Sequence, residues 1–259
     1  KKEQGIIKSI EENVKFHMTY LAPYISEMDI FYDNAVVRRT NIKDDTFNYV
    51  INARFTKDNV EEEINKIVNL YKEKDLPFSW WVGPNDEPKD LAEILKTMGF
   101  LFKEKDYGMY LPLDTFVPKK TIDLDIARVS NIGQLRVFDG IHIKSGGSKE
   151  FFEQILSKMP KYFFDQAAPY RCYIGFRDNK AVVTGKLVLH AGVGGIYYIV
   201  TLPDERRKGY ATQMMNYLIK CAKSLNYKNV VLQASEAGKH VYEKMGFKTC
   251  CEFQEFYLP

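Results

Sequence analysis

From Asn59 to Lys74 the apolar residues Ile64, Ile67, Val68 and Tyr71 return every three or four positions, with charged residues between them. That period puts them on one face of a helix over 59–74. The same spacing predicts a helix over 130–143, opened by Ser130, and another over 148–159, where Phe151, Phe152, Ile155, Leu156 and Met159 share a face. Further helices run from about Lys208 to Leu225 and over 237–245, and one starts at Pro88-Lys89-Asp90. Runs of β-branched and aromatic residues between turn formers predict strands. In the first half these are FYDNAVVRR, FNYVINARF and FSWWVG; in the second they cover 124–129, 170–178, 181–190, 196–203, 229–235 and 247–258. Asp178-Asn179-Lys180 and AGVGG (191–195) read as tight turns. The second half therefore has the order βααβββαβαβ, helices packed around one mixed sheet.

The chain also repeats itself. Met98-Gly99-Phe100 returns as Met245-Gly246-Phe247, and Tyr110-Leu111 as Tyr257-Leu258, each 147 residues further on. Each Met-Gly-Phe closes a helical stretch, LAEILKTMG or AGKHVYEKMG, where glycine is the usual stop. Each then leads into a strand ending in Tyr-Leu. Two matches at one offset, in the same context, point to duplication of one α/β unit. Pro118 and a Lys-Lys pair in LDTFVPKKT (113–121) mark a boundary, so the expected domains are 1–114 and 121–259.

A chain of 259 residues has room for two such domains and buries roughly three quarters of its unfolded surface, so it needs no disulfide or metal staple. With 45% hydrophobic and 14% aromatic residues it is not a disordered chain. No apolar run approaches the ~18 residues of a membrane span, and the start KKEQGIIKSIEENVKF lacks the form of a signal peptide. The expectation is a soluble cytoplasmic protein with no membrane partner. The 37 basic and 34 acidic residues, net +3, argue against nucleic acid as a partner but leave room for a local anion site. Cys172, Cys221, Cys250 and Cys251 form no CxxC pair and have no histidine at zinc-ligand spacing. They are expected to be free thiols, with no metal site.

The segment IVTLPDERRKGYATQMMNYLIKCAK departs from local rules. Arg206, Arg207 and Lys208 stand at a helix N-terminus, the end that already carries partial positive charge. Acidic or capping residues are the usual choice there. Free N–H groups, the helix dipole and basic side chains together suit a phosphate, and Gly209 lets a ligand approach the main chain. A solvated basic helix start is the plainer reading, and composition alone favours it.

Arg206-Arg207-Lys208-Gly209-Tyr210-Ala211 resembles the R/Q-x-x-G-x-G/A motif of the GNAT superfamily of N-acetyltransferases. LQASEAGKHVYEKMGF (232–247) resembles that family's second motif, with its Tyr-x-x-x-Gly-Phe ending at Tyr242 to Phe247. The resemblance covers residues 121–258, and WWVGPNDEP (80–88) resembles the amino-terminal half of tandem members. The implied fold is α/β (α+β): two tandem GNAT-like domains, each a mixed, mostly antiparallel central sheet flanked by helices.

The resemblance implies acetyl-CoA as acyl donor. Arg206, Arg207, Lys208, Gly209, Tyr210, Ala211 and Thr212 would hold its pyrophosphate, and Ile199, Val200 and Thr201 would pair with the pantetheine arm at a bulge. Ser235 would lie near the cofactor, and Tyr242 would be the general acid for the departing thiolate. Without the resemblance, Tyr242 reads as a boundary residue. The general base stays open among Glu236, Asp139, His142 and His190. At an offset of 147 residues Tyr242 becomes Leu95, and the phosphate loop maps near the acidic, glycine-free DNVEEE (58–63). The first half therefore reads as a degenerate copy. It either covers the acceptor site or simply packs Trp80 and Trp81 on opposite faces. The leading expectation is transfer of an acetyl group to a primary amine of a small molecule or peptide. The alternatives are a non-catalytic acyl-CoA-binding regulatory protein and a basic nucleic-acid scaffold. Asp44-Asp45 or Glu61-Glu62-Glu63 could recognise an amine, or be solvated.

Overall fold

The computed structural model describes residues 2–120 and 122–259; Thr121, where the second domain was expected to begin, lies outside them. Two compact units emerge. The first comprises Lys1–Gly108, Gln233–His240 and Thr249–Pro259; the second comprises Met109–Leu232 and Val241–Lys248. Residues 233–240 and 249–259, expected with the second domain, thus belong to the first unit.

The first unit opens with helix α1 (Lys2–Thr19), followed by strands β1 (Asp29–Tyr32), β2 (Val36–Arg39) and β3 (Tyr49–Ile51). FYDNAVVRR, expected as one strand, is a hairpin of β1 and β2, because Asp33 N turns back onto Ala35 O at 3.2 Å. Helix α2 (Val60–Lys72), β4 (Ser79–Val82), helix α3 (Leu91–Thr97) and β5 (Leu101–Pro112) complete the first repeat. Strand β11 (Lys248–Tyr257) from the end of the chain joins this unit and pairs antiparallel with β4. The strand order within the unit is β1-β2-β3-β4-β11-β5.

Helix α2 buries the expected face, with Ile64 and Tyr71 at 0% exposure. Tyr71 stacks on Phe78 at 4.1 Å and donates to Arg38 O at 2.7 Å, so the buried hydroxyl is satisfied. Trp80 is fully buried among the residues under α2 and α3, while Trp81 packs with Tyr49, Ile51 and Met18. The two rings take opposite faces of β4, as alternation requires.

The second unit contains β6 (Asp125–Arg128), helix α4 (Ile132–Lys144), helix α5 (Lys149–Gln154), β7 (Tyr170–Arg177), β8 (Lys180–His190), β9 (Val193–Thr201), helix α6 (Tyr210–Ser224) and most of β10 (Asn229–Ser235). Helix α7 (Glu236–Glu243) follows, its last residues in this unit. From the end of β5 the strand order in this unit is β10-β9-β8-β7-β6; β9 and β10 are parallel, and the β9–β8, β8–β7 and β7–β6 pairs are antiparallel. Met214, Leu218, Ile219 and Ala222 of α6 are at 0% exposure and form the core against β8 and β9. No helix among the described residues is long and apolar enough to cross a membrane.

Three local expectations change. The cap of α4 is Asn131, whose side chain accepts from Gln134 N at 2.9 Å; Ser130 instead pairs with the Gln134 side chain. The helix expected over 148–159 breaks at Ile155 into α5 and a 3₁₀ turn over Leu156–Lys158. Pro160 holds Met159 in an extended conformation, so the helix cannot run on. Strand β9 starts at Val193, because Ala191 and Gly192 alone, both at positive φ, make the turn.

The repeat is visible in the main chain. Gly99 and Gly246 have φ of +95° and +99°. Phe100 N donates to Leu95 O and Phe247 N to Tyr242 O, so both helices end in the same left-handed cap. All four cysteines are free.

Candidate functional site

Strand β9 makes the site by parting from β10. The two are registered only at Gly194↔Val230 and Gly195↔Val231. Beyond them β9 keeps its pairing with β8 alone, and that ladder carries a bulge. Thr184 faces Val200 and Lys186 faces Tyr197, so Tyr198 and Ile199 together oppose Gly185. Tyr198 sits at φ +52°, which swings its carbonyl out of the ladder and onto the Thr184 hydroxyl at 2.9 Å.

After Thr201 the chain turns through a loop with Arg207 at φ +62° and Gly209 at φ +85°. Gly209 has no side chain to cap α6, and the first turn holds no acidic residue. The first intrahelical bond runs from Gln213 N to Gly209 O, so the N–H groups of Tyr210, Ala211 and Thr212 precede the ladder. Positive helix end, left-handed loop and open N–H groups together make a concavity for an anion. The loop manages its own charge. Glu205 accepts from Lys180 at 2.6 Å and Lys208 at 2.7 Å, and these bonds hold its carboxyl down at about 2. Arg206 Nε reaches Thr201 O at 3.4 Å.

A cleft of about 830 Å³ joins these elements. Ile199, Val200, Thr201, Arg206, Arg207, Gly209, Tyr210, Ala211 and Thr212, all singled out from the sequence, line it. Lys208 is not in the wall, being drawn to Glu205. Ser235 is exposed and accepts from Gly238 N at 3.2 Å, at the start of α7. Tyr242 is half-buried beside the lining residue Val241, with its ring 5.8 Å from Phe247. Burial raises its hydroxyl above the ordinary tyrosine value, so it stays protonated at neutral pH.

The cleft also contains His142, one of the four open candidates for the base, together with Ser145, Gly146, Gly147 and Tyr198, which the sequence did not single out. The first four come from α4 and its following turn, roughly sixty residues upstream of the phosphate loop, and no local motif marks them. Behind His142 lies a buried polar group. Lys186, 3% exposed, sits 4.3 Å from the Tyr170 ring centre and 4.1 Å from that of Tyr198. Asp139, 6% exposed, is pushed up to about 6 by burial, with Lys186 pulling the other way. Burial, with Lys186 second, holds His142 down at about 4, so it is neutral.

The first unit has the same pair of parallel strands and closes the gap between them. Strands β3 and β4 register at Tyr49↔Ser79 and Val50↔Trp80, and then an isolated bridge joins Arg54 and Glu87. Phe55 N donates to Glu87 O and Glu87 N to Ala53 O, both at 3.0 Å, and Arg54 pairs with Asp86 at 3.1 Å. The helix that follows begins with Glu61, Glu62 and Glu63, which repel a phosphate. Of the acidic residues considered for amine recognition, Asp45 binds Lys103 and Glu62 and Glu63 bind Lys66.

Residues 143–247 match the profile of the Acetyltransferase (GNAT) family. The fold is similar to that of a GCN5-related N-acetyltransferase from Kribbella flavida, with a TM-score of 0.71 over 95% of each chain at 14% identity. A GCN5-related N-acetyltransferase from Sphaerobacter thermophilus matches with a TM-score of 0.60 over 86% of this chain and 80% of that one, at 12% identity. No curated protein matches the sequence. Residues 143–247 are thus similar to a GNAT acetyltransferase domain, and the chemistry of that family is acyl transfer.

Proposed function

We propose that the second unit transfers an acetyl group from acetyl-CoA to a primary amine of a small molecule or peptide. The observation that carries this reading is the open gap between β9 and β10 leading to the uncapped first turn of α6. In this reading the pyrophosphate takes the N–H groups of Tyr210, Ala211 and Thr212, with Arg206 and Arg207 adding charge. The pantetheine arm pairs with the edge of Ile199, Val200 and Thr201 in place of β10. The amine nitrogen attacks the thioester carbonyl carbon, and the C–S bond breaks. The thiolate takes its proton from the Tyr242 hydroxyl, which burial keeps protonated; the amine nitrogen gives up a proton to water, and Tyr242 regains one from water.

Thermal shift with acetyl-CoA, CoA and ATP tests the cofactor. Stabilisation by both CoA species and not by ATP is expected, and Gly209→Glu should abolish it by adding bulk and negative charge at the pyrophosphate. No shift with acetyl-CoA would overturn the reading. Thiol release in the presence of amines tests the reaction. Tyr242→Phe should lower kcat at least tenfold with acetyl-CoA affinity unchanged; equal turnover would remove Tyr242 from its role. Tight acetyl-CoA binding without transfer to any amine would mark the regulatory alternative.

A further inference from the structure

The reaction proposed above needs an acceptor, and the end of the cleft that would receive it offers only uncharged groups. Tyr198 lies three residues, or about 10 Å, along β9 from Thr201 at the phosphate loop, which is where a pantetheine arm on this strand would present its thioester. His142 and Ser145 line the same cleft. The His142 ring is 5.1 Å from that of Tyr198 and 4.9 Å from that of Phe138.

Thr184 decides which nitrogen of His142 can accept a proton. Its hydroxyl has one hydrogen, which goes to the out-turned carbonyl of Tyr198 at 2.9 Å. The contact of 3.0 Å with His142 Nε2 must then be a bond donated by the imidazole. The proton sits on Nε2, and Nδ1 holds the lone pair. Ser145 Oγ is buried and has no hydrogen-bond partner among the described residues. A ligand that bonds both groups would satisfy an otherwise orphaned hydroxyl.

The carboxylates near this end are engaged or walled off. Glu205 is the sole carboxylate among the described lining residues, and Lys180 and Lys208 hold it. Asp139 is buried outside the lining and faces Lys186. An alkylammonium arriving at His142 would lose its hydration and meet no anion.

We propose that the acceptor is a weakly basic amine, uncharged in neutral solution, such as an aryl amine or an acyl hydrazide, received by the imidazole of His142 and the hydroxyl of Ser145. This rests on the acetyl-transfer reading. The nitrogen attacks the thioester carbonyl carbon and its N–H proton passes to His142 Nδ1 and on to water. The C–S bond breaks, the thiolate takes the Tyr242 proton, and Tyr242 regains one from water. The nitrogen of a weakly basic amine becomes acidic on attack, which matches an imidazole of depressed basicity.

Aniline and benzylamine differ by one methylene, and free benzylamine is the stronger nucleophile in water. With the full chain and acetyl-CoA at neutral pH, kcat/KM per total amine is expected to be at least tenfold higher for aniline. From about pH 6.5 to about 8.5 the benzylamine value should climb by about tenfold per pH unit with its free base, while that of aniline stays flat. The groups brought against His142 are Phe138 on its own helix, Thr184 and Lys186 on β8, and Tyr198 on β9. Ser145→Asp supplies the missing anion and should move the preference toward benzylamine at least tenfold. Acetyl transfer with a pH-independent preference for benzylamine would overturn the proposal and leave acetyl transfer standing. Acetyl-CoA binding with no thiol release from aniline, hydrazide or benzylamine would overturn both.

Discussion

Replacing Gly209 by alanine adds one methyl group at a φ of +85°, where an L-residue is strained. The cost should be about 1 kcal/mol of stability, read from urea unfolding. It separates the strain of the loop from the charge effect of Gly209→Glu. Asp106 on β5 offers a second residue-scale test. Burial, then the nearby Glu255, push its carboxyl up to about 6. The folded state therefore holds this proton more tightly than the unfolded chain, whose carboxyl titrates near 4. Stability from this group is present below about pH 4 and is lost as pH rises toward about 6. Asp106→Asn should flatten the fall in Tm between those values; an unchanged slope would show that the burial is not felt. Single residues were legible in the sequence where chemistry and chain position coincide. Gly209 and its basic neighbours broke a helix-start rule within six positions, and nine of the twelve residues marked from the sequence line one cleft. His142, Ser145 and Tyr198 carry no such signal. They meet only because Gly185 faces two residues of β9 and α4 lies over β8, which no local pattern states.

At the scale of elements, the two repeats share a device and use it differently. Each has a parallel strand pair that registers at two positions. In the second unit the gap stays open toward a helix start without acidic residues. In the first, the bridge between Arg54 and Glu87 closes it, ahead of a helix start with three glutamates. Calorimetric titration with acetyl-CoA should therefore give one site per chain; two sites would mean that the first gap opens. The helix that carries the loop is anchored by Leu218 at 0% exposure, so Leu218→Ala should cost about 3 kcal/mol in urea unfolding. Periodicity announced α2, α6 and the hairpin β7–β8 because their patterns are long and their turns specific. It misplaced the end of α5, where the apolar face continues past Ile155 but Pro160 bends the backbone. Hydrophobic spacing reports which residues are buried, and not whether the chain stays helical while burying them.

The whole molecule shows what the offset of 147 residues means in three dimensions. The end of β5, from Met109, is built into the second unit, with Leu113 N donating to Lys228 O at 2.9 Å. Strand β11, the equivalent of β5 in the second repeat, is built into the first unit, with Ser79 bonded to Glu255 at 2.5 Å. The sequence pointed to a repeat through its Tyr-Leu endings, but it gave no sign of this exchange, because the pattern of a strand does not name its neighbour. The second repeat thus lends β11 to the first unit and borrows the end of β5, from Met109, in return. A gene cut in the stretch between Thr115 and Lys120 yields two pieces that are each missing a part and each carrying a spare. Neither piece should fold by itself, yet the two expressed together should find one another and restore acetyl-CoA binding, as fragments in a complementation assay do.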